Sequence, residues 1–339
     1  MLISELLDPE PSTTWTLVRQ AGVQNAVALL RGGEQQSRWL RGAAAESPAT
    51  PTDPAERPWS LPAIQSLQKL YGDHGFTITA IEDTAPMDAI RMNRPGRDEA
   101  IEAVIEQVRA MGECGIGVLC YNWMAVSSWS RTVTDVPLRG GALSTGFDYD
   151  TASRMETLVE PGSVIEADLW AGLEYFLRAV VPVAEEAGVT LGLHPDDPPL
   201  PVFRGVPRIA RSIDAYRRVL DLVPSPRNAI TLCQGNFALM AGDIPGVIRE
   251  FGSAGRIAFV HFRDVQGTAV RFTETFHDEG QTDMVACMEA YREVGFGGPL
   301  RPDHVPSLAG EDNAKPGYGA LGRLWAFGYI QGMRDAVFR

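Results

Sequence analysis

Long apolar runs are missing from this chain. No stretch approaches the roughly 18 uninterrupted apolar residues of a membrane span, so no contact with the bilayer is expected. The N-terminus, Met1-Leu-Ile-Ser-Glu-Leu-Leu-Asp8, has neither a basic flank nor a sustained apolar core, and no secretory leader is expected. Cysteine is scarce: Cys114, Cys120, Cys233 and Cys287 in 339 residues do not make a disulfide framework. A cytoplasmic protein follows as the expectation. There is no Lys/Arg-rich run, and a net charge of −13 argues against a general affinity for nucleic acid. No Gly-rich phosphate fingerprint follows an early strand, which disfavours an open doubly wound sheet. No repeat of about 20–50 residues is visible, which argues against a propeller or solenoid.

What is present fits a large single domain, 1–339. Hydrophobic residues make up 45% of the chain and charged residues 22%, as in globular proteins with an ample core. Apolar alternation predicts strands over 2–6, 22–30, 76–82, 116–121, 190–194, 228–233, 256–261 and 299–303. Helical periodicity falls between them, over 13–21, 61–75, 97–112, 167–187, 212–222, 244–251, 284–294 and 320–333. Residues 32–58, rich in Gly, Ala, Ser and Pro, read as a long surface loop. Eight alternations of this kind predict a (β/α)₈ TIM barrel. After the fourth strand, 122–165 is irregular and carries Trp123, Trp129 and Arg131; a loop of that length is usually a functional lid or rim.

The fifth strand, Thr190-Leu-Gly-Leu-His194, ends on an imidazole. The prolines of Pro195-Asp-Asp-Pro-Pro199 prevent a helix from starting there, so a stiff loop presents His194 with Asp196 and Asp197. One histidine at a strand end is more often a satisfied core residue. The next three strands, however, also end on metal-competent side chains, Cys233, His261 and Asp303, each about one strand–helix unit further on. In a barrel the carboxyl ends of the strands converge on one face, where active sites lie. Two imidazoles, a thiolate and a carboxylate there form a site for a divalent ion. That donor set suits Mn²⁺, Fe²⁺, Co²⁺ or Zn²⁺ better than Ca²⁺ or Mg²⁺. His304 follows a ligand directly and is able to act as acid or base, and Lys315-Pro-Gly-Tyr-Gly319 would place the Tyr318 hydroxyl over the same rim. Arg263 and Arg301 would pair with a substrate carboxylate or form structural ion pairs. Tyr121-Asn122-Trp123 would add polar and aromatic walls, with packing the commoner role for tryptophan.

With these residues assembled, the chain resembles the mannonate dehydratase family. The matching blocks are Cys120-Tyr-Asn-Trp-Met124 with Trp129-Ser-Arg-Thr132, His194-Pro-Asp-Asp-Pro-Pro199 with Pro207-Arg-Ile209, and Leu232-Cys-Gln-Gly235. They continue through Phe259-Val-His-Phe-Arg263, Phe276-His-Asp-Glu-Gly280, Arg301-Pro-Asp-His304 and Pro316-Gly-Tyr318 to Gly322-Arg323, so the resemblance covers roughly 76–335. It implies a xylose-isomerase-like barrel and a manganese-type site held by His194, Cys233, His261 and Asp303. It also implies His304 and Tyr318 as the acid–base pair. Tyr121, Asn122, Trp123, Arg131, Asp196, Arg263 and Arg301 are the candidate substrate contacts. The expected partner is a small sugar acid or related polyol, and the expected assembly a homo-oligomer.

The chain departs from the family pattern in four places. No Trp-Tyr-Gly strand occurs in residues 1–10, Met87 stands where a histidine is usual, Ser127-Ser128 where an aspartate is, and Val305-Pro306 where Gly-Arg is. If Met87 replaces an imidazole that bonds a substrate hydroxyl, D-mannonate should be handled poorly, at a cost of about 1–3 kcal/mol. The expected chemistry is proton removal at C2 of a sugar acid and loss of the C3 hydroxyl, giving a 2-keto-3-deoxy acid. Two rivals are an isomerase or epimerase using the same site, and an inactive barrel retained as a binding protein.

Overall fold

In the computed structural model, which describes residues 1–339, eight parallel strands close into a barrel. They are β1 (Leu2–Leu7), β2 (Asn25–Ala28), β3 (Thr77–Ile81), β4 (Val118–Asn122), β5 (Thr190–His194), β6 (Asn228–Cys233), β7 (Ile257–His261) and β8 (Pro299–Arg301). Each pairs with its sequence neighbours, and β8 pairs with β1 to close the ring. All eight fall where alternation put them.

Alternation also explains the layers. Ala26 and Ala28 of β2 belong to the large cluster between sheet and helices, whereas Val27 belongs to a nine-residue cluster with Leu6, Ala80, Cys120 and Phe259. Successive side chains of a strand point to opposite faces, so the small cluster fills the barrel and the large one glues the helices to it. No helix is long and apolar enough to cross a membrane.

Register aligns the chemistry. Cys233 of β6 pairs with His261 of β7, His261 pairs with Arg301 of β8, and Asn122 of β4 pairs with His194 of β5. Five strands thus end side by side on the face where a barrel builds its site.

Two segments differ from expectation. Residues 32–58 are not simply a loop, since Glu34–Arg41 forms a helix with Glu34, Gln36 and Arg38 buried. Its N-terminal residue Gly33 offers no side-chain cap; the free amides of Gln35 and Gln36 donate instead to Asp83, just past β3. A Cβ on Gly33 would lie 2.4 Å from that carboxylate, so only glycine permits the contact. The segment 122–165 is likewise ordered, holding strands Val133–Pro137 and Leu143–Asp148. These join Val265–Thr268 and Arg271–Glu274, which follow β7, in a four-stranded antiparallel sheet.

One buried group makes stability depend on pH. His277 lies in the core near Phe262, Trp325 and Tyr329, with Nε2 3.1 Å from the Pro302 carbonyl and no partner for Nδ1. Burial lowers its pKa from 6.5 to about 4, so it folds neutral. Protonation then favours the unfolded chain: stability held above pH 6.5 is lost as pH falls toward 4, by about 3 kcal/mol. Urea unfolding of wild type and His277→Gln across this range should converge as pH falls. Parallel curves would contradict the assignment.

Candidate active site

The prolines after β5 hold the His194 ring in place. Its Nδ1 donates to the Pro195 carbonyl at 2.8 Å, which leaves the Nε2 lone pair free. Nε2 lies 3.2 Å from Nδ1 of His261. The donor atoms of His194, Cys233 and His261 all lie within 4.8 Å of one another. Asp303 completes the group, with Oδ2 3.8 Å from Cys233 Sγ and 3.6 Å from His261 Nδ1. Metal–ligand bonds of about 2.0–2.3 Å in a tetrahedron separate ligand atoms by roughly 3.3–3.8 Å. The observed spacings therefore fit a divalent ion with little adjustment.

Charge favours the ligand forms. Burial opposes ionisation of the Cys233 thiol, yet Arg263 and the neighbouring imidazoles outweigh it and bring the pKa down to about 6. Burial likewise opposes Asp303, and Arg301 with His304 and His261 holds it well below the usual carboxylate range. Asp303 adopts φ 61°, a left-handed backbone uncommon outside glycine, and is gripped by Arg263 at 2.6 Å and Arg301 at 2.7 Å.

The pocket above these atoms is walled by Tyr121, Asn122, Trp129, Asp197, Arg301, His304 and Tyr318, with Glu34, Gln35 and Trp39 from the helix 34–41. His304 Nε2 is 3.1 Å from the Tyr318 hydroxyl, and Trp129 and Trp39 pack on these two rings at 4.7 and 4.5 Å. Val305 does not disturb this arrangement; it is buried, bridges to Tyr318, and its amide donates to the Gly317 carbonyl. Ser128 lines the pocket and shares a hydrogen bond with Gln35. Tyr121 borders the pocket, but its ring packs on Trp123 and Phe176 in the cluster between barrel and helices, and its hydroxyl is buried there with no protein partner, so its expected role as a substrate contact is not met.

Several expected substrate contacts lie elsewhere. Trp123 is fully buried, donates to the Leu169 carbonyl and packs on Phe176; it is core, because the residue after β4 points out of the barrel. Asp196 faces inward to the Ala210 amide and Arg208, and Asp197 is the carboxylate on the pocket wall. Arg131 and Arg263 stand behind the pocket, both bound to Asp197 and Glu274, and so shape the wall from outside it. Met87 is buried in the large core cluster, absent from the pocket wall, and touches the site only through its amide bond to Glu34. The Met87 thioether therefore does not stand where a substrate hydroxyl would meet it.

The structure also adds residues that no local pattern marks. Glu82, just past β3, makes two bonds to Arg301 at 2.8 and 2.9 Å and lies 3.4 Å from His261 Nε2. Burial works against its charge, but Arg301 and His261 bring its pKa down to about 2. Glu274 ends the last strand of the inserted sheet and lies 3.0 Å from His304 Nδ1. The only sequence signal for either was a lone acidic residue at a strand end.

Known proteins supply the remaining observation. The family profile of D-mannonate dehydratase (UxuA) matches residues 9–161 and 151–339. Mannonate dehydratase 2 of Halalkalibacterium halodurans is 37% identical over 305 residues, 82% of this chain and 88% of that protein. The mannonate dehydratase of Enterococcus faecalis is 36% identical over 313 residues, 82% of this chain and 87% of its own. The crystal structure of mannonate dehydratase from Streptococcus suis serotype 2 superposes with a TM-score of 0.84 at 32% identity, covering 100% of this chain and 94% of that one. An L-ribulose 3-epimerase, at TM-score 0.57 and 15% identity, shares the xylose-isomerase-like fold alone. With strand ends, pocket and relatives in agreement, the chain belongs to the D-mannonate dehydratase family and is a carbon–oxygen hydro-lyase.

Proposed function

We propose that this enzyme removes water from a sugar acid, D-mannonate first among the candidates, with a divalent metal held by His194, Cys233, His261 and Asp303. The observation that carries the reading is the apposition of that ligand set to the His304–Tyr318 pair across one pocket. Manganese is the expected ion; iron(II), cobalt and zinc share the donor preference. When bound, the ion supplies positive charge that stabilises an enediolate formed at the substrate carboxylate and C2.

The protein's own groups do the rest. Arg301 stands on the pocket wall beside the ligands, where its guanidinium faces an anionic substrate. Asn122 is a polar contact for the sugar hydroxyls, and Trp39 and Trp129 exclude water from the acid–base pair. Of His304 and Tyr318, one takes the proton from C2 and the other gives a proton to the C3 hydroxyl. The C3–O bond breaks, water leaves, and the resulting enol becomes a 2-keto-3-deoxy acid. The inserted segment 122–165 serves as a rim that closes one side of the pocket through Ser128 and Trp129.

The test is a panel of five- and six-carbon aldonates with Mn²⁺, read by formation of the 2-keto-3-deoxy acid. D-mannonate should be turned over, since the Met87 side chain is in the core and not on the pocket wall. Keto–aldo interconversion without water loss would favour an isomerase, and no chemistry on any acid would favour a binding protein.

A further inference from the structure

We propose that Glu274 is a positioning residue for the acid–base pair: its carboxylate fixes His304 with the proton on Nδ1 and turns the Nε2 lone pair toward the Tyr318 hydroxyl. The proposal deepens the dehydratase reading and rests on it for its kinetic consequence. Its basis is a chain of two hydrogen bonds, Glu274 Oε1 to His304 Nδ1 at 3.0 Å and His304 Nε2 to Tyr318 Oη at 3.1 Å. A carboxylate only accepts, so Nδ1 must donate to it; a neutral imidazole then has a bare Nε2, and the tyrosine hydroxyl donates there.

Glu274 is equipped for this. It is buried, and its two oxygens bind Arg263 at 2.7 Å and Arg131, which are in turn anchored on Asp197. Against the cost of burial those two arginines keep Glu274 ionised well below the usual range. Arg131 Nη2 also lies 3.5 Å from His304 Nδ1, a contact that would need the opposite tautomer. The carboxylate is nearer and carries the opposite charge to an imidazolium, so its bond prevails. Trp129 packed on the His304 ring at 4.7 Å limits the alternative of turning the ring over.

Glu274 does not line the pocket, so it touches no substrate and acts only through His304. Proton balance follows simply. When Nε2 takes a proton, the imidazolium keeps its Nδ1–H bond to Glu274, whose carboxylate stays unprotonated. The same proton later departs from Nε2. The inserted sheet acquires a purpose as well, because its last strand, Arg271–Glu274, delivers this carboxylate to the barrel mouth.

The first measurement needs no activity. Ring ¹⁵N NMR of His304, one of five histidines, should report Nδ1 protonated in the wild type at a pH where the ring is neutral. Glu274→Gln should shift the proton toward Nε2. Nε2 protonated in the wild type would overturn the proposal, whatever the substrate. The second is kinetic. In a Ser-His-Asp triad, amide for carboxylate at the same place lowers kcat by about 10⁴, and Glu274→Gln should lower kcat here by about 10²–10⁴, with KM and bound metal unchanged. In the His304→Gln background the same change should cost nothing further, since Glu274 acts through that ring. An undiminished kcat, or costs that multiply, would overturn it. Should Glu274→Gln fail to fold, Glu274→Asp keeps both arginines neutralised while drawing the carboxylate back; its kcat should fall at unchanged KM, and an unchanged kcat counts against the proposal. A wild type inactive on every sugar acid would instead sink the dehydratase reading, while the NMR result still decides the tautomer.

Discussion

Cys233→Ser should leave a folded barrel that retains little metal and loses turnover by about a thousandfold. The thiol is one of three donors within 4.8 Å of each other, and its acidity, brought down to about 6, suits it to a ligand role. A hydroxyl of the same size stays protonated at neutral pH and is a poor ligand. Loss of a mere supporting residue lowers metal affinity roughly 10–100-fold, and loss of a ligand should exceed that. A bound ion contributes several kcal/mol to charge stabilisation, and each 1.4 kcal/mol is a factor of ten, which gives the thousandfold figure. Metal content after gel filtration, chelator sensitivity and restoration by Mn²⁺ check the expectation. Wild-type activity undiminished by chelator, with no metal in the protein, would refute a metal-dependent site. Arg263 makes the variant informative for stability too. It stays paired with Asp303, Glu274 and Asp197, so the fold has no reason to fail.

Tyr318→Phe should lower kcat by about 10²–10⁴, the usual worth of a positioned acid or base, with KM and metal content little changed. The ring packs between Trp39 and Trp129, at 4.5 and 6.0 Å, and phenylalanine keeps that packing. Only the hydroxyl bonded to His304 at 3.1 Å is lost. Burial, with Asp303 beside it, raises the Tyr318 pKa, so the group rests as a neutral donor and not a phenolate. Steady-state kinetics with D-mannonate and Mn²⁺ give the answer. A kcat within a few-fold of wild type would move the acid–base role away from Tyr318.

The residues that were legible in the sequence share one property: their position depends on local chain geometry. Eight alternating strands are visible because a residue's face follows from its neighbours, and β1 through β8 lie where that pattern put them. His194, Cys233, His261 and Asp303 stand at or just beyond strand ends, and parallel register carried them to one level. His304 and Tyr318 then needed only adjacency and a tight loop.

What the chain alone left open depends on partners far away in sequence. The helix Glu34–Arg41 has no cap of its own and forms because Asp83, about fifty residues on, accepts its amides. The segment 122–165 looked irregular because its hairpin, Val133–Pro137 with Leu143–Asp148, is completed into a sheet only by Arg271–Glu274, far along the chain. Beyond a strand end, and above all in a proline-rich turn, the two-residue alternation stops. For that reason neither the choice of Asp197 over Asp196 as the pocket carboxylate nor the burial of Trp123 and Met87 could be read. Glu82 and Glu274 are single acidic residues whose meaning comes wholly from Arg301 and His304. Strand periodicity determined the barrel and the strand-end side chains gathered at its mouth; long-range hydrogen bonds and ion pairs, which leave no periodic trace, decided the pocket wall and the setting of His304 against Tyr318.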